Sequence, residues 1–89
     1  MRTLTLLGRN VRRVREGRGM TREALSAKAD VSVHVLGRIE AGTGNPTALV
    51  VFRLARALGV HPHELFAAPP PRPRKDGPRD IAPARRRKT

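Results

Sequence analysis

Apolar residues recur at helical spacing along residues 1–68 of this chain. Leu7, Val11 and Val14 stand at positions i, i+4 and i+7, which places their side chains on one face of a helix. The arginines of the same segment lie largely off that face. No stretch shows convincing period-two alternation, so the pattern predicts helices and no strands.

Capping residues divide this region into five helical segments. Thr21, Ser32 and Thr47 each stand where an N-cap would begin a helix. Gly42 and Gly59 stand where the third and fourth helices would end, and the two glycines of EGRGM would end the first. Only the short turn ADV separates the second helix from the third. The last segment, HPHELF, predicts one or two further turns.

The third predicted helix, at about residues 32–41, has two chemically different faces. Leu36 and Ile39 share one face with Glu40 and are suited to anchor the helix in a core. The opposite face would present four residues outward: Val33, His34, Gly37 and Arg38.

The fourth predicted helix contains more apolar surface than one buried stripe requires. The stripe would consist of Ala48, Val51, Leu54, Ala55 and Leu58. Leu49 and Phe52 share a different face. Two interpretations stay open: the helix is buried on all sides of a small bundle, or this face covers the first helix or contacts a partner.

Charge and composition limit the partners and cofactors. The formal net charge of +12 points to polyanions, nucleic acid first and an anionic membrane surface second. Cysteine is absent, and His61 and His63 have no partner at helical spacing, so we expect neither metal nor cofactor. The longest apolar run, ALVVF, is too short to span a membrane. Without signal-peptide features, the sequence favours a cytoplasmic location, at the nucleoid in a bacterium.

Residues 69–89 differ in composition from the rest of the chain. They carry a net charge of +6 and a single large apolar residue, Ile81, so we expect a disordered basic arm after a folded domain of residues 1–68. Four consecutive cations would contact DNA phosphates without reading sequence: Arg85, Arg86, Arg87 and Lys88. Alternatives are a protein partner, a polyproline ligand in PPRPRK, a nuclear localisation signal, or no selected role.

Five sequence pieces, found in order over about residues 6–66, carry a family resemblance. They are LGRNVRRVREGRGMT, EALSAKADVS, RIEAG, NPTALVVFRLARALGV and HPHELF. Together they resemble the phage-repressor/Cro-like helix-turn-helix domains, the XRE family. The resemblance implies an all-α fold, a compact five-helix bundle of the lambda-repressor-like type, that binds double-stranded operator DNA, usually as a homodimer. It makes residues 21–41 the helix-turn-helix and the third helix the recognition helix of the major groove.

The recognition helix and the start of the second helix would carry the base contacts. Arg38 could bind guanine in bidentate fashion or hold a phosphate, and His34 could donate to a base or a phosphate. Val33 could touch a thymine methyl, although family members often have a polar residue there. Gly37 would allow close approach of the backbone to the duplex. Arg22, where the family commonly has glutamine, would contact a phosphate or a base.

Other polar residues have expected roles around this helix. The candidate phosphate contacts are Arg9, Arg12, Arg13, Thr21, Thr43, Asn45 and Thr47, the arginines being alternatively a solvated charged face. Arg15 and Glu40 match the family's ion pair between the first and third helices, which orients the recognition helix. The candidate dimer contacts are Leu49, Phe52, Leu65 and Phe66.

These observations predict a sequence-specific transcriptional regulator that acts by occupying its operator. The alternative is the antitoxin of a toxin–antitoxin pair, which binds DNA through the same fold and a toxin through its tail. An enzyme is rejected, because no cluster of nucleophile, base and oxyanion donors is evident.

Overall fold

A computed structural model describes residues 2–68. It contains four α-helices, α1 (Arg2–Gly17), α2 (Arg22–Ala29), α3 (Val33–Glu40) and α4 (Ala48–Leu58), followed by a 3-10 helix (Pro62–Phe66). No strand occurs in this range. The all-α prediction is confirmed, with the fifth element a 3-10 rather than an α-helix.

The helices begin and end at the predicted residues. The hydroxyls of Thr21, Ser32 and Thr47 accept hydrogen bonds from the amides three residues later, at 3.0, 3.0 and 3.2 Å. Gly42 and Gly59 follow α3 and α4 with φ of +79° and +75°, which glycine adopts without a steric penalty. Each cap satisfies a backbone group that the helix leaves unpaired, so these short helices have defined ends.

A single apolar core joins all five elements. Its largest fully buried apolar side chains are Leu7, Val11, Leu25, Leu36, Ile39, Leu54, Leu58 and Leu65. Burying one such side chain stabilises the fold by roughly 1.5–3 kcal/mol. Leu36 and Ile39 are the only large apolar residues of α3 among them, so this pair attaches α3 to the bundle.

The structure corrects three expectations about apolar residues. Ala48 is exposed, because it is the first residue of α4 and the core lies further along the helix, where Ala57 is buried. Leu49 and Phe52 are 56% and 49% exposed, so α4 is not buried on all sides. Leu65 is completely buried under α1 and α4, and its side chain is therefore not available for a dimer contact.

Asn10 is a buried polar residue that sequence analysis did not single out. Its side-chain amide donates to the carbonyl oxygens of Leu65 and Ala67, at 2.9 and 2.8 Å. These bonds satisfy two carbonyls at the end of the 3-10 helix and fix that helix against α1. Such pairing matters because a buried polar group without a partner costs about 1–3 kcal/mol.

Candidate nucleic-acid interface

The backbone of α1 lies directly against the last turn of α3. A Cβ atom on Gly8 would lie 2.2 Å from the carbonyl oxygen of Ile39 and 2.9 Å from that of Glu40. Both neighbours are backbone atoms that cannot rotate away. Only glycine permits this approach, and Gly8 therefore helps to set the position of the predicted recognition helix.

A buried ion pair ties the same end of α3 to α1. Arg15 donates to the carboxylate of Glu40 from Nε at 2.7 Å and from Nη2 at 3.1 Å. Its Nη1 donates to the carbonyl of Met20 at 2.7 Å, just before α2. The side chains are only 9% and 2% exposed. The hydrogen bond to Glu40 raises the pKa of Arg15, against the opposing effect of burial.

Arg22, at the start of α2, contacts the same carboxylate. Its Nε donates to Oε1 of Glu40 at 3.2 Å, although its side chain remains 48% exposed. The sequence pattern gave no sign of this contact, because 18 residues separate the two positions. The structure thus brings one predicted DNA contact together with the predicted ion pair.

The polar side chains on the outward face of α3 form no hydrogen bond or ion pair with the rest of the described chain. The side chains of His34 and Arg38 are exposed and have no hydrogen-bond or ion-pair partner within residues 2–68. Val33 is also exposed, and a Cβ on Gly37 would meet no atom within 4 Å. These four residues are presented together, opposite the buried Leu36 and Ile39.

The loop after α3 folds back onto that helix. The amides of Thr43 and Gly44 donate to the carbonyl of Arg38 at 3.0 and 3.1 Å, and the Thr43 hydroxyl does so at 3.3 Å. Beside this loop is a cleft of about 340 Å³, lined by Val35, Arg38, Ile39, Gly44, Asn45 and Pro46. Asn45 therefore lies beside the exposed face of α3. Val35 is also exposed and lines this cleft. The sequence analysis did not name it as a candidate contact, because it assigned the residues of α3 to only two faces.

Of the three α1 arginines predicted to contact phosphate, two have partners within α1 and the third lines a separate cleft. Arg12 donates to Glu16 at 3.1 Å, one turn along the helix, and both side chains are more than half exposed. Arg13 donates to the side-chain oxygen of Asn10 at 3.4 Å. Arg9 lines a separate cleft with Arg2 and Ala68, among others. The hydroxyls of Thr21 and Thr47 serve as helix caps.

Metal ligands and membrane spans were also considered in the sequence. Residues 2–68 contain no group of three or more histidine, cysteine or acidic side chains that could hold a metal ion. Over the same residues, no helix has the length and apolar character needed to cross a membrane. The predicted phosphate contacts Arg85, Arg86, Arg87 and Lys88 lie outside the described residues.

Comparison with known proteins gives consistent matches. The HTH_3 family model, described as helix-turn-helix, matches residues 11–65. The uncharacterized HTH-type transcriptional regulator y4dJ of Sinorhizobium fredii is 40% identical over 60 residues, which cover 67% of this chain and 78% of that protein. The uncharacterized HTH-type transcriptional regulator YazB of Bacillus subtilis is 36% identical over 63 residues, 71% of this chain and 88% of that protein.

Solved structures share the fold. The restriction-modification controller protein C.AhdI from Aeromonas hydrophila has a TM-score of 0.71 and 29% identity, covering 74% of this chain and all of that one. An HTH_3 family transcriptional regulator from Vibrio cholerae has a TM-score of 0.68 and 25% identity, covering 72% of this chain and 36% of that one. The match to the family model over residues 11–65 and the 40% identity to y4dJ show that this chain belongs to the HTH_3 family of helix-turn-helix proteins.

Proposed function

We propose that the chain is a DNA-binding transcriptional regulator that recognises a specific operator through α3 and acts by occupying it. The observation that supports this most directly is the outward face of α3, where His34 and Arg38 have no partner within residues 2–68. An α-helix fits the major groove, and a free guanidinium can donate two hydrogen bonds to guanine O6 and N7. The relatives named as HTH-type transcriptional regulators are consistent with this function.

The remaining residues of this face would read the groove by shape and apolar contact. Val33 offers no hydrogen bond and suits a thymine methyl group. Gly37 leaves open space above the helix backbone, so a base pair or sugar could approach closely. His34 would donate to a base or a phosphate.

Phosphate contacts would surround this face and set the register of the protein on the duplex. Thr43 and Asn45 lie in the loop that folds onto α3, and Thr47 caps the next helix. Thr21 and Arg22 begin α2. The cations of residues 69–89 would add contacts that raise affinity without adding specificity.

A homodimer on DNA would place two recognition helices about one turn of the duplex apart, roughly 34 Å. The candidate contact surface is the apolar cluster Leu49, Phe52 and Phe66, all three exposed. Phe52 and Phe66 line a cleft of about 410 Å³ together with other apolar side chains. A regulator of this kind would act where the genome is, in the cytoplasm of a bacterial cell.

Selection from a random pool of duplexes tests the proposal. At about 0.15 M salt, where screening limits nonspecific attraction, we expect enrichment of one sequence with two symmetric half-sites. A single enriched half-site would contradict binding as a dimer but would still support sequence-specific DNA binding. A pool that stays random through repeated rounds would overturn sequence-specific binding.

A further inference from the structure

Ion pairs join α1, the start of α2 and the end of α3. Arg12 and Arg15 contact Glu16, at 3.1 and 3.7 Å, and Arg15 and Arg22 contact Glu40, at 2.7 and 3.2 Å. Three guanidiniums therefore share two carboxylates. The Glu40 carboxylate already accepts three N–H donors and is 2% exposed, so it has little capacity for a further partner.

The two arginines on Glu40 use their guanidiniums differently. Arg15 donates from all three of its nitrogens, two to Glu40 and one to Met20, and is almost fully buried. Arg22 donates from Nε alone, and within residues 2–68 its two terminal amino groups have no hydrogen-bond partner. A planar guanidinium held at Nε has a restricted orientation, and its terminal amino groups remain available at the surface.

We infer that Glu40 is a positioning residue for DNA binding. It holds Arg22 through Nε, so that the terminal amino groups of Arg22 donate to a phosphate of the DNA backbone. This inference rests on the proposed function. The guanidinium thereby bridges the buried carboxylate and the phosphate. Because Glu40 is the last residue of α3, the same carboxylate links the phosphate contact to the position of the recognition helix.

The Arg22→Lys variant distinguishes a positioned guanidinium from a simple positive charge at this site. The single ammonium of lysine keeps the charge but cannot bond in two directions with the fixed fork geometry of arginine. We expect Arg22→Lys to weaken binding to the selected duplex about tenfold, nearly as much as Arg22→Gln, since each loses a charge-assisted hydrogen bond. Arg53→Lys is the matched control, because Arg53 is exposed on α4 and has no ion pair within residues 2–68.

A second pair of variants tests the role of Glu40 itself. Glu40→Gln keeps an oxygen acceptor but removes the charge. In the Glu40→Gln protein the hydrogen bond from Nε of Arg22 is no longer charge-assisted, so Arg22→Lys should weaken duplex binding by clearly less than the tenfold expected in the wild-type background. Circular dichroism at the binding temperature checks that each variant is folded.

If Glu40→Gln fails to fold, NMR measurement of side-chain hydrogen exchange in the wild-type chain still tests whether Arg22 is held through Nε. We expect the Nε–H signal of Arg22 to exchange with water more slowly than that of Arg53, both free and with the selected duplex. Fast exchange of both signals overturns the positioning role. So does an Arg22→Lys variant that binds within twofold of wild type. A wild-type chain that binds no duplex instead overturns the proposed function, and the inference with it.

Discussion

Arg38 is the residue on which base recognition should depend most. Its side chain is exposed and without a partner in residues 2–68, while three donors of the following loop hold its carbonyl. Arg38→Ala should cost roughly 1–3 kcal/mol of binding to the selected operator and much less on random duplexes. Fluorescence anisotropy with both duplexes at one salt concentration measures the difference. Equal losses on the two would mean that Arg38 only holds phosphate; Arg53→Ala serves as the control.

Substitution of Gly37 should affect the stability of the free protein and its affinity for DNA in opposite directions. A methyl group at this position meets no protein atom within 4 Å, so Gly37→Ala should stabilise the free chain by about 0.5–1 kcal/mol. If the backbone approaches the duplex closely, the same change should lower operator affinity several-fold. Thermal unfolding and binding titrations check the two effects. Gly17→Ala, also in open space, should leave binding unchanged. Unaltered affinity of Gly37→Ala would count against close approach.

Single-residue roles were predictable where they depend on nearby sequence. The burial of Leu36 and Ile39 follows from helical spacing alone. The contact of Arg22 with Glu40 and the role of Asn10 do not, since their partners lie 18 and 55–57 residues away. Such contacts depend on how the helices pack, which no local pattern specifies.

At the scale of elements, the packing of α1 on α3 depends on Gly8. Gly8→Ala forces a methyl group against two backbone carbonyls, and α1 and α3 must separate to admit it. We expect a loss of about 1–3 kcal/mol in the free energy of unfolding, as for an overpacked core. Urea denaturation measures this loss, and Gly17→Ala is the matched control. An alanine variant as stable as wild type would show that the helices shift without cost.

The elements themselves were the most predictable part of the fold. An N-cap bonds only three residues along the chain, so Thr21, Ser32 and Thr47 could be identified from sequence. The turn between α2 and α3 was expected, but the left-handed conformation of Asp30, with φ of 56°, was not. A non-glycine residue adopts that region only where the surrounding structure favours it.

At the scale of the whole molecule, the net positive charge is divided equally between residues 1–68 and residues 69–89. Residues 69–89 carry +6 of the +12 net charge. Deleting them should flatten the plot of log affinity against log salt concentration, by roughly one unit for each phosphate that these residues neutralise. Titrations between about 50 and 200 mM salt measure the slope. An 89-residue chain with glutamine at Arg85, Arg86, Arg87 and Lys88 is the control for length. An unchanged slope after the deletion would show that residues 69–89 do not contact DNA.

The apolar surface proposed for a dimer contact was the least predictable feature. Leu49 and Phe52 fit either a buried helix or a partner contact, and only the arrangement of the neighbouring helices leaves them exposed. Leu65 was misassigned for the same reason, because its burial depends on α1, which is distant in sequence.

The contact of Gly8 with α3 also bears on how the domain opens. An eight-residue helix is too short to be stable in water by itself, and binding elements commonly unfold before the rest of a protein. Here the backbone of α1 at Gly8 lies directly against the last turn of α3, and a buried ion pair holds the same end. The hydrogen-bonded amides in the last turn of α3 should therefore exchange their hydrogens for deuterium only when the entire domain unfolds. Warming would then abolish base selectivity and the fold in one transition.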